Sequence, residues 1–222
     1  SRIERSMALL PPPKGNGFLC HKNFMKKIVN EVEISQEIKG SKFIAYVFKC
    51  TTEIEAKEKV TLIKKQHPKA NHHCSAYIVE NKQIVRSHDD GEPSSTAGLP
   101  MLQVLQGADV DDVVVIVVRY FGGTLLGKGG LIKAYSSSVS LALEEAKIKE
   151  LQQYSRYAIR FPYAYTSVIE HLLQSHGEIT DRIFDEQMTI ILNLLDIEDI
   201  RQKCMDFTKG DCQFELLAQF WN

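Results

Sequence analysis

The chain has 222 residues, 44% hydrophobic and 25% charged, with a formal net charge of −1. That composition is globular and carries no polyanion-binding excess over the whole molecule. The five cysteines, Cys20, Cys50, Cys74, Cys204 and Cys212, form no C-x-x-C pair, which argues against a zinc ribbon or a disulfide framework.

Residues 1–24 hold Pro11-Pro12-Pro13-Lys14-Gly15-Asn16-Gly17 and no periodic apolar pattern, so they read as a disordered tail or an expression remnant. No apolar run approaches membrane-spanning length and no secretory pattern opens the chain, so a cytoplasmic location without membrane contact is expected. From Ile28 to Ile38 the sequence leans towards strand, and Phe43–Phe48 reads as a second strand after a turn at Lys39-Gly40-Ser41. Thr52 opens a helix with Ala56, Val60 and Ile63 on its buried stripe. His73–Glu80 and Gln83–Ser87 form a hairpin around Asn81-Lys82. A short helix follows around Pro100–Gln106.

Val113–Val118 is a continuous β-branched run, the pattern of a strand covered on both faces. It leads through Arg119-Tyr120-Phe121 into a loop with Gly122, Gly123, Gly127, Gly129 and Gly130. The next helix places Leu131, Tyr135, Val139, Ala142 and Ala146 on one face. A mixed α/β domain over residues 25–150 results. Residues 151–222 then predict strand Tyr157–Ala164, a helix capped by Thr166, the hairpin Ile179–Phe184 and Gln187–Leu194, helix Asp196–Thr208 and strand Gln213–Trp221. This β-α-β-β-α-β order is that of a ferredoxin-like split βαβ domain. With six Lys/Arg against eleven Asp/Glu, residues 151–222 are a poor grip for phosphates.

Two segments carry candidate chemistry. Gly122–Lys128 fits G-x-x-x-x-G-K between a strand and a helix, nearly a phosphate-cradling P-loop. Gly129 stands where a Mg²⁺-holding Ser or Thr is needed, which argues against nucleotide hydrolysis. Anion docking on Gly122, Gly123, Gly127, Lys128, Gly129 and Gly130 remains open beside a purely structural role for the glycines. The second segment, Ser87–Gly98, gathers His88, Asp89, Asp90, Glu92, Ser94, Ser95 and Thr96. It reads either as a ligand-binding or acid/base loop or as a turn whose side chains bond their own backbone. Arg119, beside Tyr120, either binds a carboxylate or phosphate or forms a salt bridge to Asp89 or Asp90. His72, His73 and Cys74 alternate along a strand and cannot ligate one metal together, so neither metal nor cofactor is expected.

HHCSAYIV, SHDDGEPSSTAGLPML and VVVIVVRYFGGTLLGKGGLIKAY together resemble the YigZ/IMPACT family, strongly over residues 26–150. The resemblance implies an α+β protein. Its N-terminal domain would be like the second domain of a small-subunit ribosomal protein and GHMP kinases. Its C-terminal domain, 151–222, would be ferredoxin-like and similar to the last domain of elongation factor G. Eukaryotic relatives regulate translation, so the implied role is a non-catalytic binding protein whose partners are RNA, the ribosome or a translation factor. The alternative is a small-molecule phosphotransferase or hydrolase using the Asp-Asp-Gly-Glu-Pro loop and Arg119.

Overall fold

The computed structural model describes residues 24–222. The reading of residues 1–23 as a tail therefore lies outside the described residues, while Phe24 already belongs to a strand. The chain divides into two compact units, Met25–Glu150 and Leu151–Asn222, the second also taking in Phe24.

The first unit starts with β1 (Phe24–Ile28), β2 (Val32–Ile38) and β3 (Ser41–Lys49). The run expected from Ile28 is thus split by the turn at Val29–Glu31. Helix α1 (Glu53–Gln66) begins at Thr52, whose hydroxyl accepts the Glu55 amide while Glu55 reaches back to the Thr52 amide, a reciprocal cap. Then come β4 (His72–Val79), β5 (Ile84–His88), α2 (Gly98–Gly107), β6 (Val113–Tyr120) and α3 (Gly127–Ala146). Strands β2 to β6 form one antiparallel sheet in the order β2-β3-β6-β4-β5.

Strand β6 is central, and its alternation serves two cores. Val113, Val115 and Val117 pack with Met101 and Leu105 of α2 and with Tyr135 and Val139 of α3. Val114, Ile116 and Val118 pack on the other side with Ala56 and Ile63 of α1. A strand sandwiched in this way needs an apolar residue at every position, hence the unbroken valine run. The helix stripe of α3 is buried as its 3.6-residue period requires.

The second unit consists of β7 (Ile148–Phe161), a 3₁₀ turn (Tyr163–Tyr165), α4 (Thr166–Gln174), β8 (Gly177–Phe184), β9 (Met188–Leu194), α5 (Glu198–Phe207) and β10 (Gln213–Trp221). Antiparallel pairing gives the order β10-β7-β9-β8. Ile169 and Leu173 of α4 and Ile200 and Cys204 of α5 cover one face, against Ile159, Phe161, Ile190 and Leu192. Both helices therefore lie on one face of a split β-α-β sandwich.

Two local expectations are corrected. Strand β7 starts at Ile148 rather than Tyr157, because β10 pairs with its polar stretch as far as Gln153 and the Gln152 and Asn222 backbones exchange hydrogen bonds of 2.8 and 3.0 Å. Thr166 is the first residue of α4 rather than its cap; its hydroxyl donates backwards to the Tyr163 carbonyl at 2.8 Å, closing the 3₁₀ turn instead.

Candidate functional site

The acidic loop joins β5 to α2, and its three carboxylates have three different tasks. Asp89 Oδ1 accepts the Gly98 amide at 2.8 Å and the Ala97 amide at 3.2 Å, while Oδ2 accepts the Ser95 amide at 2.8 Å. These are donors at the start of α2 that no intrahelical carbonyl can satisfy, so Asp89 caps the helix from eight or nine residues upstream. Ala97, the residue at the cap position, has no oxygen to offer.

Asp90 faces α1. Its Oδ1 accepts from Lys64 Nζ at 2.9 Å and its Oδ2 from the His73 amide at 2.8 Å. Burial pulls the Asp90 carboxyl upward, but Lys64 and the His73 amide outweigh it and hold the group below its ordinary range. Asp90 takes φ +48° and Gly91 φ +89°, a reversal that turns the next carboxylate inward.

Glu92 is that carboxylate, and it is buried at 8% exposure. Its Oε1 accepts from Arg119 Nη1 at 2.7 Å and from the Tyr135 hydroxyl at 2.7 Å. Burial, with Cys74 and Glu92 adding to it, pushes the Tyr135 hydroxyl well above its usual value and keeps it a donor. His72 Nδ1 donates to the Asp90 carbonyl at 2.9 Å, leaving Nε2 3.7 Å from Glu92 Oε2. The Cys74 thiol donates to the Asp89 carbonyl at 3.0 Å.

Arg119, expected to pair with Asp89 or Asp90 if it formed a salt bridge, pairs with Glu92 instead. The two aspartates are held by the start of α2 and by α1, whereas Glu92 points to the face of β6 that carries Arg119. The guanidinium is only 5% exposed and lies 5.6 Å from the ring centres of both Phe43 and Phe121. Its Nη2 reaches the Ser41 hydroxyl at 3.4 Å, and its Nε has no partner among the described residues. Tyr120, one residue on, points to the opposite face. There its hydroxyl meets His67 Nδ1 at 2.8 Å, and the Tyr46 hydroxyl meets His67 Nε2 at 2.7 Å. Burial and the nearby Glu33 charge raise Tyr46 to about 12, so it remains protonated.

The glycine-rich segment is divided by structure. Gly122 is pressed against the β2–β3 turn: a Cβ there would lie 1.9 Å from the Gly40 carbonyl carbon. Its amide donates to Ser41 Oγ at 3.3 Å, and the Phe121 amide donates to Asn71 Oδ1 at 2.8 Å. Gly123 has φ +88° and open surroundings. Gly127, Lys128, Gly129 and Gly130 form the first turn of α3 rather than a loop. No side chain caps that turn and it contains no acidic residue. Phe121 and Leu125 flank it, 46% and 83% exposed.

Of the sequence candidates, Asp89, Asp90, Glu92 and Arg119 belong to one connected network. Thr96 is buried and donates to the Pro93 carbonyl at 2.6 Å, which steadies the same loop. His88, Ser94 and Ser95 are exposed. Tyr120 lies across the sheet, and Gly123, Lys128 and Gly129 sit on the exposed turn. Sequence reasoning missed Ser41, Asn71 and His72 as partners, and it read Tyr135 only as a core residue. Helical period places Tyr135 in the core correctly but says nothing of its hydroxyl. Ser41 lies 78 residues from Arg119 and leaves no local signal.

Comparison with known proteins decides the family. The sequence model described as the Impact N-terminal domain matches residues 39–143. The IMPACT family member YigZ of Escherichia coli is 35% identical over 190 residues, spanning 82% of this chain and 92% of that protein. The chain belongs to the IMPACT family. A second member, YvyE of Bacillus subtilis, is 47% identical over 133 residues, 60% of each chain. The crystal structure of a hypothetical protein superimposes with a TM-score of 0.57 at 32% identity, covering 87% of this chain and 97% of that one. The IMPACT domain match spans β3 to α3 and so contains both the carboxylate network and the glycine turn.

Proposed function

We propose that this IMPACT-family protein is a non-catalytic binding protein linked to translation, and that it docks an anionic ligand on the first turn of α3. The observation that carries this reading is the open glycine turn. The first four amides of a helix have no intrahelical acceptors, and the helix dipole favours negative charge there. In this 20-residue helix those amides belong to Gly127, Lys128, Gly129 and Gly130, without a capping side chain. Lys128 adds an exposed positive charge, and Phe121 is an exposed ring for stacking.

The internal commitments of Asp89, Asp90 and Glu92 favour binding over phosphotransfer or hydrolysis. Each carboxylate is held by amides, a lysine or an arginine, and Arg119 is neutralised in place. A general base needs a lone pair facing its substrate, and these face their own fold. The acidic C-terminal unit would repel phosphates, which leaves the glycine turn as the contact.

The test is fluorescence anisotropy with a labelled single-stranded RNA, together with ribosome co-sedimentation, each at low and physiological salt. Association at low salt is expected, and Lys128→Glu should weaken it and reduce the salt slope by about one charge. An acidic peptide that binds while RNA and ribosomes do not would move the partner to a protein. No association with any of the three would refute the reading.

A further inference from the structure

A cleft of about 330 Å³ lies within the second unit, walled by Tyr154, Phe220, Glu178, Asn193 and Leu195 among others. Strand register assembles it. Phe220 of β10 pairs with Tyr154 of β7, and Asn193 of β9 pairs with both Arg156 of β7 and Glu178 of β8. Tyr157 and Leu192 pack under the helices, so alternation sends Tyr154, Arg156 and Asn193 to the opposite face of the sheet. Phe220 has the parity of Phe214, which also packs under the helices. A β-bulge between Leu216 and Ala218 resets that parity and brings Phe220 beside Tyr154. The two rings stack with centres 5.9 Å apart and planes 17° from parallel.

Asn193 is only 8% exposed, and both ends of its amide are engaged. Its Oδ1 accepts from Arg156 Nε at 2.7 Å, and its Nδ2 donates to Glu178 Oε2 at 3.4 Å. The buried amide therefore stands between a guanidinium and a carboxylate and keeps them from pairing. Glu178 is exposed and has no cationic partner among the described residues. Arg156 lies 5.5 Å from the Phe220 ring centre and does not itself wall the cleft. We propose that this cleft binds an alkylammonium group, carried by a polyamine or by a lysine side chain of a basic peptide.

Each wall answers one part of that ligand. The ammonium donates a charge-assisted hydrogen bond to Glu178, whose carboxylate Asn193 orients. The Tyr154 ring adds attraction for the same charge, as the Phe220 ring does for Arg156. Leu195, 47% exposed, covers the methylene stem. Six Lys/Arg against eleven Asp/Glu over residues 151–222 give the unit a field that draws cations and turns anions away. A hard metal ion is a poor match, because it needs several oxygen ligands and the cleft offers one carboxylate between aromatic and leucine walls. The volume suits a slender organic group. This site is separate from the glycine turn and takes the opposite charge.

The experiment titrates the isotope-labelled full chain with spermidine, with a short lysine–glycine peptide and with uncharged pentanediol, read by amide NMR. Salt is held at about 0.15 M to screen diffuse attraction. Spermidine, the peptide or both should shift the Asn193 side-chain amide and the Glu178 and Leu195 backbone amides, and pentanediol should not. Binding of spermidine alone assigns the group to a free polyamine, and binding of the peptide alone assigns it to a lysine side chain. Glu178→Gln should weaken binding about tenfold or more, since it removes the charged acceptor. Tyr154→Leu should weaken it about threefold. Glu186→Gln, on an exposed acid in the β8–β9 turn, should leave it unchanged. Glu178 is exposed, so its variant should keep the thermal midpoint of the unsubstituted protein. Absence of shifts with both amines would overturn the proposal, as would equal weakening by Glu186→Gln and Glu178→Gln.

Discussion

Glu92 and Arg119 meet at 2.7 Å across 27 residues of sequence, inside the protein rather than at its surface. The Tyr135 hydroxyl donates to the same carboxylate oxygen, so a loop, a strand and a helix converge on one atom. The pair holds the acidic loop shut over the end of β6.

A buried ion pair is costly to break from one side, because the survivor is left as an uncompensated charge. Arg119→Ala should lower unfolding stability by about 3–5 kcal/mol, and Glu92→Gln by less, since the amide can still accept from Arg119 and Tyr135. Paired urea titrations of the two variants measure the difference. Equal, small losses would show that the pair is solvated.

Asp89→Ala leaves the amides of Ser95, Ala97 and Gly98 without acceptors. The expected cost is about 1–2 kcal/mol, in the range of a lost helix cap. Hydrogen exchange should accelerate at those amides while β3 and β6 keep their protection. Asp89→Asn should recover part of the loss.

Two glycine substitutions in the same segment should act in opposite directions. Gly122→Ala forces a Cβ into the Gly40 backbone and should destabilise the first unit by about 3 kcal/mol or more. Gly129→Ala meets nothing within 4 Å and lies in a helix, so it should stabilise by about 0.5–1 kcal/mol. Thermal midpoints of the two variants make the comparison.

The folded-state pKa of Asp90 is depressed relative to the unfolded value of about 3.9. A depressed carboxyl contributes stability that is fully present above the unfolded pKa and lost as pH falls through the folded one. Unfolding stability should therefore fall from about pH 4 downwards, and Asp90→Asn should flatten that limb. An unchanged acid limb in the variant would show that Lys64 and the His73 amide do not hold the charge.

Much of this architecture was legible because local chemistry dictated it. The valine run of β6 has no polar position to expose, and Thr52 announces the start of α1. The long strand β7 was not legible in its first half: Lys149–Arg156 is largely polar, and pairing with distant strands, β10 from Gln153 and β9 from Ser155, makes it a strand. The choice of Glu92 over Asp89 and Asp90 as the partner of Arg119 was equally hidden. It depends on the backbone reversal at Asp90 and Gly91, and on Lys64 and the α2 amides having claimed the two aspartates. Motif spacing singled out the loop but could not assign its carboxylates.

Gly122 is clamped to Gly40, whereas the chain from Gly123 to Leu125 is exposed, and Leu126 packs on the core again. Slack in this connection begins one residue after the clamp and ends before Leu126. Foreign sequence, such as an epitope or a fluorophore-bearing peptide, is therefore best grafted at Thr124-Leu125. The same cargo placed before Gly123 would separate β6 from the β2–β3 turn.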